Sequence, residues 1–177
     1  MGKRSSFDRV PRDFYPTPPE AVTPLIPHLV EGWSYWEPCA GDGALVKAMP
    51  SWFPCGACSD IEPRGLEGWM QEKDALKVSE NALWHIDCII TNPPWDRKVL
   101  HPMIEHFSAM RPTWLLFDAD WMHTKQAAPF MPWLRKVVSV GRVKWIKDSP
   151  HTGKDNCAWY LFDQNGTGPC EFVGRAS

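Results

Sequence analysis

The sequence predicts an α/β domain whose sheet is mostly parallel and carries an antiparallel hairpin at its C-terminal end. Short apolar runs typical of strands alternate with runs whose apolar residues recur at helical spacing, which is the pattern of a wound α/β sheet. The predicted strands cover 34–40, 55–61, 74–76, 87–91 and 113–117, and the predicted helices cover 18–30, 44–49, 99–110 and 125–136. A chain of 177 residues suffices for one domain, spanning 1–177, and is too short for two ordinary ones.

The first predicted helix has a clear start signal. Thr17 is the predicted N-cap, Pro18 takes the first helical position and Glu20 the third, and each residue type is favoured at its place. Apolar residues from Val22 to Leu29 then follow at helical spacing.

The C-terminal part of the sequence predicts two strands, at 137–146 and 156–162. Only nine residues, 147–155, separate them, so they must run antiparallel, because a parallel connection needs a dozen or more. The last dozen residues are predicted to form a tail without regular structure.

Composition excludes several classes of protein. Lysine and arginine total 19 against 21 acidic residues, so the net charge of −2 excludes nucleic-acid binding driven by bulk charge alone. No apolar run approaches the roughly 18 residues of a membrane span, and no apolar stretch follows the basic start, which predicts a soluble protein without a standard export signal. Six cysteines are too sparse for a disulfide scaffold, and Cys55 and Cys58 lack the second pair of a zinc site, so reduced thiols and no metal are expected.

A glycine-containing turn, Glu37-Pro-Cys-Ala-Gly-Asp-Gly43, lies where a predicted strand leads into a helix. Glycines there let the backbone approach a ligand, although a plain turn has the same composition. The turn lacks the third glycine of a dinucleotide fingerprint and the Lys-Ser/Thr of a phosphate loop, so neither pyrophosphate nor triphosphate is favoured. Asp60 ends the next strand, where a carboxylate can accept both ribose hydroxyls. Together they indicate a nucleoside-like cofactor.

The most specific motif is Asn92-Pro-Pro-Trp95, at the end of a buried strand. Its two prolines donate no hydrogen bond and fix φ, which leaves carbonyls pointing outward. The Asn92 side-chain oxygen and the Pro93 carbonyl could accept both N–H bonds of an amine conjugated to a ring and stabilise positive charge as the amine attacks. Trp95 would stack on that ring and hold the amine in line.

With these motifs the chain resembles the DNA adenine-N6 methyltransferases, which use S-adenosylmethionine. The order, cofactor motif before catalytic motif, is similar to the gamma-type arrangement and to short phage-borne adenine methylases. The resemblance runs over about residues 14–163. It implies a Rossmann-like class I methyltransferase fold, a flipped adenine of duplex DNA as substrate, and a cytoplasmic location in a bacterial or phage-infected cell.

The resemblance also implies a role for each site residue. Thr17 would help hold the methionine carboxylate, Asp60 would bind the ribose hydroxyls, and Asp74 would accept from the cofactor's adenine amine. The implied cofactor-binding set is Thr17, Glu37, Pro38, Cys39, Ala40, Gly41, Asp42, Gly43, Asp60, Ile61, Asp74, Ala75 and Asn92. The catalytic set is Asn92, Pro93, Pro94 and Trp95, and the substrate-binding set, which includes a second aromatic from the C-terminal hairpin, is Trp95, Trp145, Lys147, Lys154 and Trp159.

The chain departs from the family in two ways. Trp95 stands where Tyr or Phe is commoner, and no target-recognition domain is present, which predicts short or relaxed sequence specificity. The basic arm at 3–12 and the loop at 147–155 are the candidate DNA readers. An RNA adenine methyltransferase, a protein glutamine methyltransferase and an inactive binding relative remain as alternatives.

Overall fold

The computed structural model describes residues 11–146 and 153–175, which form one eight-stranded sheet covered on both faces. In chain order the strands are β1 (Tyr35–Glu37), β2 (Cys55–Asp60), β3 (Gln71–Glu72), β4 (Cys88–Thr91), β5 (Thr113–Asp118), β6 (Leu134–Arg142), β7 (Asn156–Phe162) and β8 (Glu171–Val173). Across the sheet their order is β3-β2-β1-β4-β5-β7-β6-β8.

The sheet is parallel from β3 to β5. Strand β1 pairs with β2 on one side and with β4 on the other, and β2 with β3 and β4 with β5 extend the parallel part. Strand β7 then lies between β5 and β6, antiparallel to both. The predicted architecture, mostly parallel with an antiparallel C-terminal hairpin, is confirmed.

Within the described residues, three α-helices flank the sheet: α1 (Pro19–Val22), α2 (Ala44–Ala48) and α3 (Arg97–Met110). Helix α3 begins at the N-cap Asp96, whose Oδ1 accepts a hydrogen bond of 3.0 Å from the Lys98 N–H. Its buried face, which includes Ile104 and Phe107, packs against the sheet. The helix predicted at 99–110 is therefore present and starts two residues earlier.

Proline content converts two predicted helices into 3₁₀ segments. After α1 the chain continues as a 3₁₀ segment over Thr23–His28, and the predicted helix at 125–136 is a 3₁₀ segment over Lys125–Trp133. Each contains two prolines, Pro24 with Pro27 and Pro129 with Pro132, which cannot donate the N–H bonds of a continuous α-helix.

The expected N-cap role of Thr17 is wrong. Pro18 is the N-cap of α1, and no side chain caps this helix end. The Thr17 hydroxyl is engaged elsewhere, by Asn92.

Two further sequence predictions are wrong at the edges of the sheet. The predicted strand at 74–76 is instead a 3₁₀ turn over Ala75–Lys77, and the edge strand is β3, just before it. The predicted C-terminal tail contains β8, which pairs in parallel with β6, and the Lys136 ammonium contacts the Glu171 carboxylate at 2.7 Å across that pair.

Alternating side chains of the central strands build a core on each face. On the α3 face Ile89 and Leu115 pack with Trp36, and on the α1 face Ile90 and Leu116 pack with many other buried residues. Successive side chains of a strand point to opposite faces, so these all-apolar strands are the expected product of a sheet covered on both sides.

Trp159 belongs to the second of these cores. Its side chain is 0% exposed and its indole N–H donates a 2.7 Å hydrogen bond to the Ala21 carbonyl at α1. The prediction that Trp159 binds substrate is therefore wrong, because this indole ties β7 to α1 inside the core.

Glu37, the last residue of β1, is a fully buried carboxyl group. Its Oε1 accepts hydrogen bonds from the Thr91 hydroxyl on β4 and from the Cys39 N–H, while Oε2 has no hydrogen-bond partner among the described residues. Burial raises the pKa of Glu37 to about 8, against hydrogen bonds from Thr91 and Cys39 that lower it. The group is thus mainly protonated at neutral pH.

Across residues 11–146 and 153–175, no helix is both long and apolar enough to cross a membrane. The same described ranges contain no cluster of three or more His, Cys, Asp or Glu side chains suited to holding a metal ion.

The buried hydrogen bond from Trp159 to Ala21 predicts an effect on stability. Trp159→Phe should lower the free energy of unfolding by about 1–3 kcal/mol, because the buried Ala21 carbonyl loses its donor. Urea unfolding followed by circular dichroism measures this. The matched control is Trp84→Phe at a side chain 82% exposed, which should change stability by less than about 0.5 kcal/mol; equal effects of the two substitutions would contradict the assignment.

Glu37 predicts a pH dependence of stability. Its folded-state pKa of about 8 exceeds the ordinary 4.5, so between these values the folded protein holds one proton more than the unfolded chain. The contribution of Glu37 to stability is therefore complete below about pH 4.5 and is lost as pH rises through about 8. Glu37→Gln should gain stability relative to the wild type as pH rises from 5 to 8.5 in thermal unfolding experiments. Parallel pH profiles for the two proteins would refute this.

Candidate active site

A cleft of about 640 Å³ opens at the carboxyl ends of β1, β2 and β4. This is the edge at which parallel α/β sheets bind ligands, and the volume lies in the range of about 300–1,000 Å³ that is usual for small-molecule sites. Of the residues predicted to bind a cofactor, the cleft is lined by Thr17, Pro38, Cys39, Ala40, Gly41, Asp42, Asp60, Ile61, Asp74, Ala75 and Asn92. The structure thus brings together most of the predicted set.

Two predicted cofactor contacts do not line the cleft. Glu37, predicted to bind the cofactor as part of the 37–43 turn, is wholly buried and does not line the cleft. Gly43 is buried as well, and a Cβ there would lie 2.5 Å from the Leu66 side chain. Both residues therefore belong to the buried part of the turn and not to its surface at the cleft.

The turn between β1 and α2 depends on Gly41, whose φ of 55° lies in the left-handed region. Its N–H donates a 2.8 Å hydrogen bond to Asp60 Oδ2, which joins the end of β1 to the end of β2. A Cβ at Gly41 would lie 2.7 Å from the Phe14 ring. The glycine is therefore required both by backbone conformation and by close packing.

The Asp60 carboxylate is held in place by the backbone. In addition to the bond from Gly41, the Glu62 N–H donates a 2.8 Å hydrogen bond to Asp60 Oδ1. A carboxylate has about four acceptor positions, so each oxygen keeps a lone pair directed away from these bonds. The neighbouring Ile61 side chain is 54% exposed at the cleft, which leaves an apolar surface next to a fixed acceptor.

Asp74 lies on the wall of the cleft and caps a 3₁₀ turn. Its Oδ1 accepts a 3.2 Å hydrogen bond from the Leu76 N–H, and its Oδ2 lies 3.2 Å from the Lys77 ammonium. The cap fixes the carboxylate at the rim.

Asn92 follows β4 directly, and three groups contact its amide. Nδ2 donates to Thr17 Oγ1 at 3.2 Å and to the Tyr15 carbonyl at 3.4 Å, and Oδ1 accepts from the Trp95 indole N–H at 3.3 Å. Pro94 lines the cleft with Asn92, whereas Pro93 does not. The motif therefore presents the asparagine amide, and not the first proline ring, to the cleft.

Aromatic rings cluster beside Asn92. The Trp95 and Trp145 rings meet edge to face with centroids 5.7 Å apart, and Tyr15 lies 6.5 Å from Trp145. Trp145 comes from the chain just after β6, so the C-terminal hairpin does contribute an aromatic to this edge of the sheet.

The structure describes only some of the basic residues predicted to bind DNA at this edge of the sheet. Arg142, Lys144 and Lys154 are exposed on or next to the hairpin that carries Trp145. Lys147 and the arm at 3–10 lie outside the described residues.

Residues 12–17 line one side of the cleft, where an ion pair and a cation–π contact hold them. Arg12 Nε lies 3.0 Å from the Glu62 carboxylate, which also contacts Arg64 at 2.9 Å. The Arg64 guanidinium lies 4.2 Å above the Phe14 ring centre. Phe14 and Arg64 are not among the predicted site residues, because no local motif signals a contact between residues 50 apart in the chain.

Cys39 is the cysteine on the cleft wall. Burial raises its pKa well above the ordinary thiol value, with the nearby Glu37 as a smaller cause. The side chain is therefore a thiol and a poor nucleophile at neutral pH. Among the predicted site residues, the amide oxygen of Asn92 and the carboxylates of Asp60 and Asp74 supply acceptors, while Arg12, Arg64 and Lys73 add cationic donors to the cleft lining.

No protein-family model matches the sequence, and no curated protein matches it. Solved structures do match. A Pyrococcus horikoshii protein described as an RNA methyltransferase has a TM-score of 0.60 at 15% identity, over 89% of this chain and 91% of that one.

Two larger proteins match over a smaller share of their own length. A protein from Vibrio vulnificus described as the modification subunit of a type I restriction enzyme gives a TM-score of 0.54 at 11% identity, over 93% of this chain and 47% of that one. A Listeria monocytogenes protein described as a class I S-adenosylmethionine-dependent methyltransferase gives 0.52 at 8% identity, over 89% and 63%. The chain therefore has the class I methyltransferase fold.

Proposed function

We propose that this protein transfers a methyl group from S-adenosylmethionine to the N6 amine of adenine in DNA. The observation that carries the proposal is the position of the Asn92–Trp95 tetrad: Asn92 and Pro94 line the cleft, and the Trp95 ring lies beside Asn92 and donates its indole N–H to the amide oxygen. The two structural relatives described above as methyltransferases support methyl transfer as the type of reaction.

The cleft residues fit the cofactor's chemistry. Asp60 would bind the ribose hydroxyls through its free lone pairs, Ile61 would pack on the adenine ring, and Asp74 would accept from the adenine amine. Gly41 and the adjoining turn would lie against the ribose and methionine. When bound, the cofactor supplies an electrophilic methyl group.

The acceptors at Asn92 suit an amine nucleophile. Asn92 Oδ1 and the Pro93 carbonyl would accept the two N–H bonds of the target amine and stabilise the positive charge that develops as its lone pair attacks. No side chain then has to remove a proton before attack. Trp95 would stack on the target base, and Trp145 would face it from the hairpin.

Adenine in DNA is the substrate we propose because the Asn-Pro-Pro-Trp tetrad, and the order of the cofactor motif before the catalytic motif, resemble those of DNA adenine-N6 methyltransferases. Exposed Arg142, Lys144 and Lys154 near Trp145 would contact phosphates, and because such contacts carry no base identity the reading of sequence would be short or relaxed. RNA is the main competing substrate, since one structural relative is described as an RNA methyltransferase.

The deciding experiment supplies labelled S-adenosylmethionine with duplex DNA, single-stranded DNA, RNA or a protein extract and identifies the methylated product after digestion. We expect N6-methyldeoxyadenosine, spread over adenines in short or degenerate contexts when a plasmid is mapped. Label found only in RNA or only in protein would overturn the proposal, and modification confined to one motif of four or more defined bases would overturn the relaxed specificity.

The cofactor role of Asp60 predicts a loss of affinity. Asp60→Ala should weaken S-adenosylmethionine binding roughly tenfold or more, since hydrogen bonds to a charged acceptor contribute about 1.5–3 kcal/mol. Calorimetry without nucleic acid measures it. Asp163→Ala is the matched control. Asp163 likewise accepts an N–H from the residue two positions on, Asn165, at 2.9 Å, and it does not line the cleft. Unchanged affinity in Asp60→Ala would exclude Asp60 from the site.

The chemical role of Asn92 predicts a loss of turnover. Asn92→Ala should lower methylation at least about 100-fold while cofactor affinity stays within a few-fold, because the lost acceptor matters most as charge develops. Trp95→Ala should also impair methylation severely through lost stacking of about 1–3 kcal/mol. The exposed Asn165→Ala serves as control. Near-normal turnover in Asn92→Ala would contradict this mechanism.

A further inference from the structure

We propose that Thr17 is a positioning residue that anchors the Asn92 amide in its reactive orientation; the inference rests on the proposed function. Thr17 is 5% exposed, and its hydroxyl accepts a hydrogen bond from Asn92 Nδ2, 75 residues further along the chain. The N-terminal segment thus reaches the centre of the site and contacts the residue that faces the target amine.

The polarity of the other two contacts decides which end of the amide faces the substrate. The Tyr15 carbonyl can only accept a hydrogen bond and the Trp95 indole N–H can only donate one. They lie on opposite ends of the Asn92 amide, so Nδ2 points to the N-terminal segment and Oδ1 points to Trp95.

The direction of the amide matters because the two ends have opposite chemistry. With Oδ1 on the side of Trp95, the ring that would stack on the target base, Asn92 would accept the N–H bonds of the target amine. Rotated by 180°, it would present its own N–H donors to an amine that also donates, and the charge developing on the amine would meet only the Pro93 carbonyl as acceptor. A side chain fixed in advance stabilises charge without rearranging during the reaction.

The backbone around Thr17 suits an anchor. Prolines on both sides, Pro16 and Pro18, restrict the local conformations of the segment. Because the helix end at α1 makes no use of the Thr17 side chain, its hydroxyl is left for Asn92. The resemblance assigns Thr17 instead to the methionine carboxylate of the cofactor, so the two roles predict different kinetic changes.

The test compares Thr17→Val, Thr17→Ser and Thr113→Val. Valine keeps the shape of threonine and removes the hydroxyl, whereas serine keeps the hydroxyl. Thr113 is the matched control, since it is also a buried threonine. Its hydroxyl makes a different hydrogen bond, donated to the Arg111 carbonyl at 2.8 Å, at the opposite end of the sheet.

Thr17→Val should lower kcat roughly three- to tenfold at saturating cofactor, as expected for one hydrogen bond between uncharged groups, and leave cofactor affinity within about twofold. Thr17→Ser should recover most of kcat, and Thr113→Val should keep it. Unchanged kcat in Thr17→Val, or a loss that excess cofactor repairs, would overturn the positioning role.

A second readout does not depend on activity. In protein labelled with ¹⁵N-asparagine, the Asn92 side-chain N–H signals, assigned through their loss in Asn92→Ala, should exchange slowly with water and should exchange faster in Thr17→Val. Equal exchange rates would overturn the anchor even if the protein methylates nothing. Absence of methylation by the wild type, with this difference in exchange present, would overturn the proposed function and leave the anchor supported.

Discussion

The candidate site depends on the parallel pairing of one three-residue strand with neighbours on both sides. Strand β1 is in register with β2 and β4 at the same residue, since Tyr35 lies opposite both Cys55 and Cys88. Because the three strands run forward in the same direction from that point, the glycine turn, Asp60 and Asn92 at their carboxyl ends all lie at one edge of the sheet. The side chains that form the cleft come from three separated parts of the sequence, and this register brings them together.

Buried polar contacts reinforce that register below the cleft. The Glu37 carboxyl accepts from Thr91 on β4 and from the Cys39 N–H at the start of the turn, and the Trp36 indole donates to Ser59 on β2 at 3.0 Å. A buried polar group left without its partner costs about 1–3 kcal/mol, so a shift in pairing would be penalised at each of these contacts. The edge that holds the site is therefore specified by hydrogen bonds as well as by apolar packing.

Much of the fold was predictable from local pattern. The alternation of strands and helices, the glycine turn, the antiparallel hairpin and helix α3 follow from apolar periodicity and short connections, and the structure confirms them. The predictions failed where distant residues decide the outcome. Strand β8 is defined by pairing with β6 over thirty residues away, and Thr17 has a helix-cap sequence but bonds to Asn92. Trp145 and Trp159 both belong to the C-terminal hairpin and were both predicted to bind substrate, yet Trp159 lies in the core and Trp145 beside Trp95.

The segment that lines the cleft over residues 12–17 is held differently at its two ends. The Arg12–Glu62 ion pair at one end joins side chains that are about half exposed, and such pairs contribute only about 0–1 kcal/mol. At the other end Thr17 is buried and bonded to Asn92. Added salt screens the ion pair further, so ionic strength should loosen the Arg12 end of the segment first and leave the contact between Thr17 and Asn92 in place.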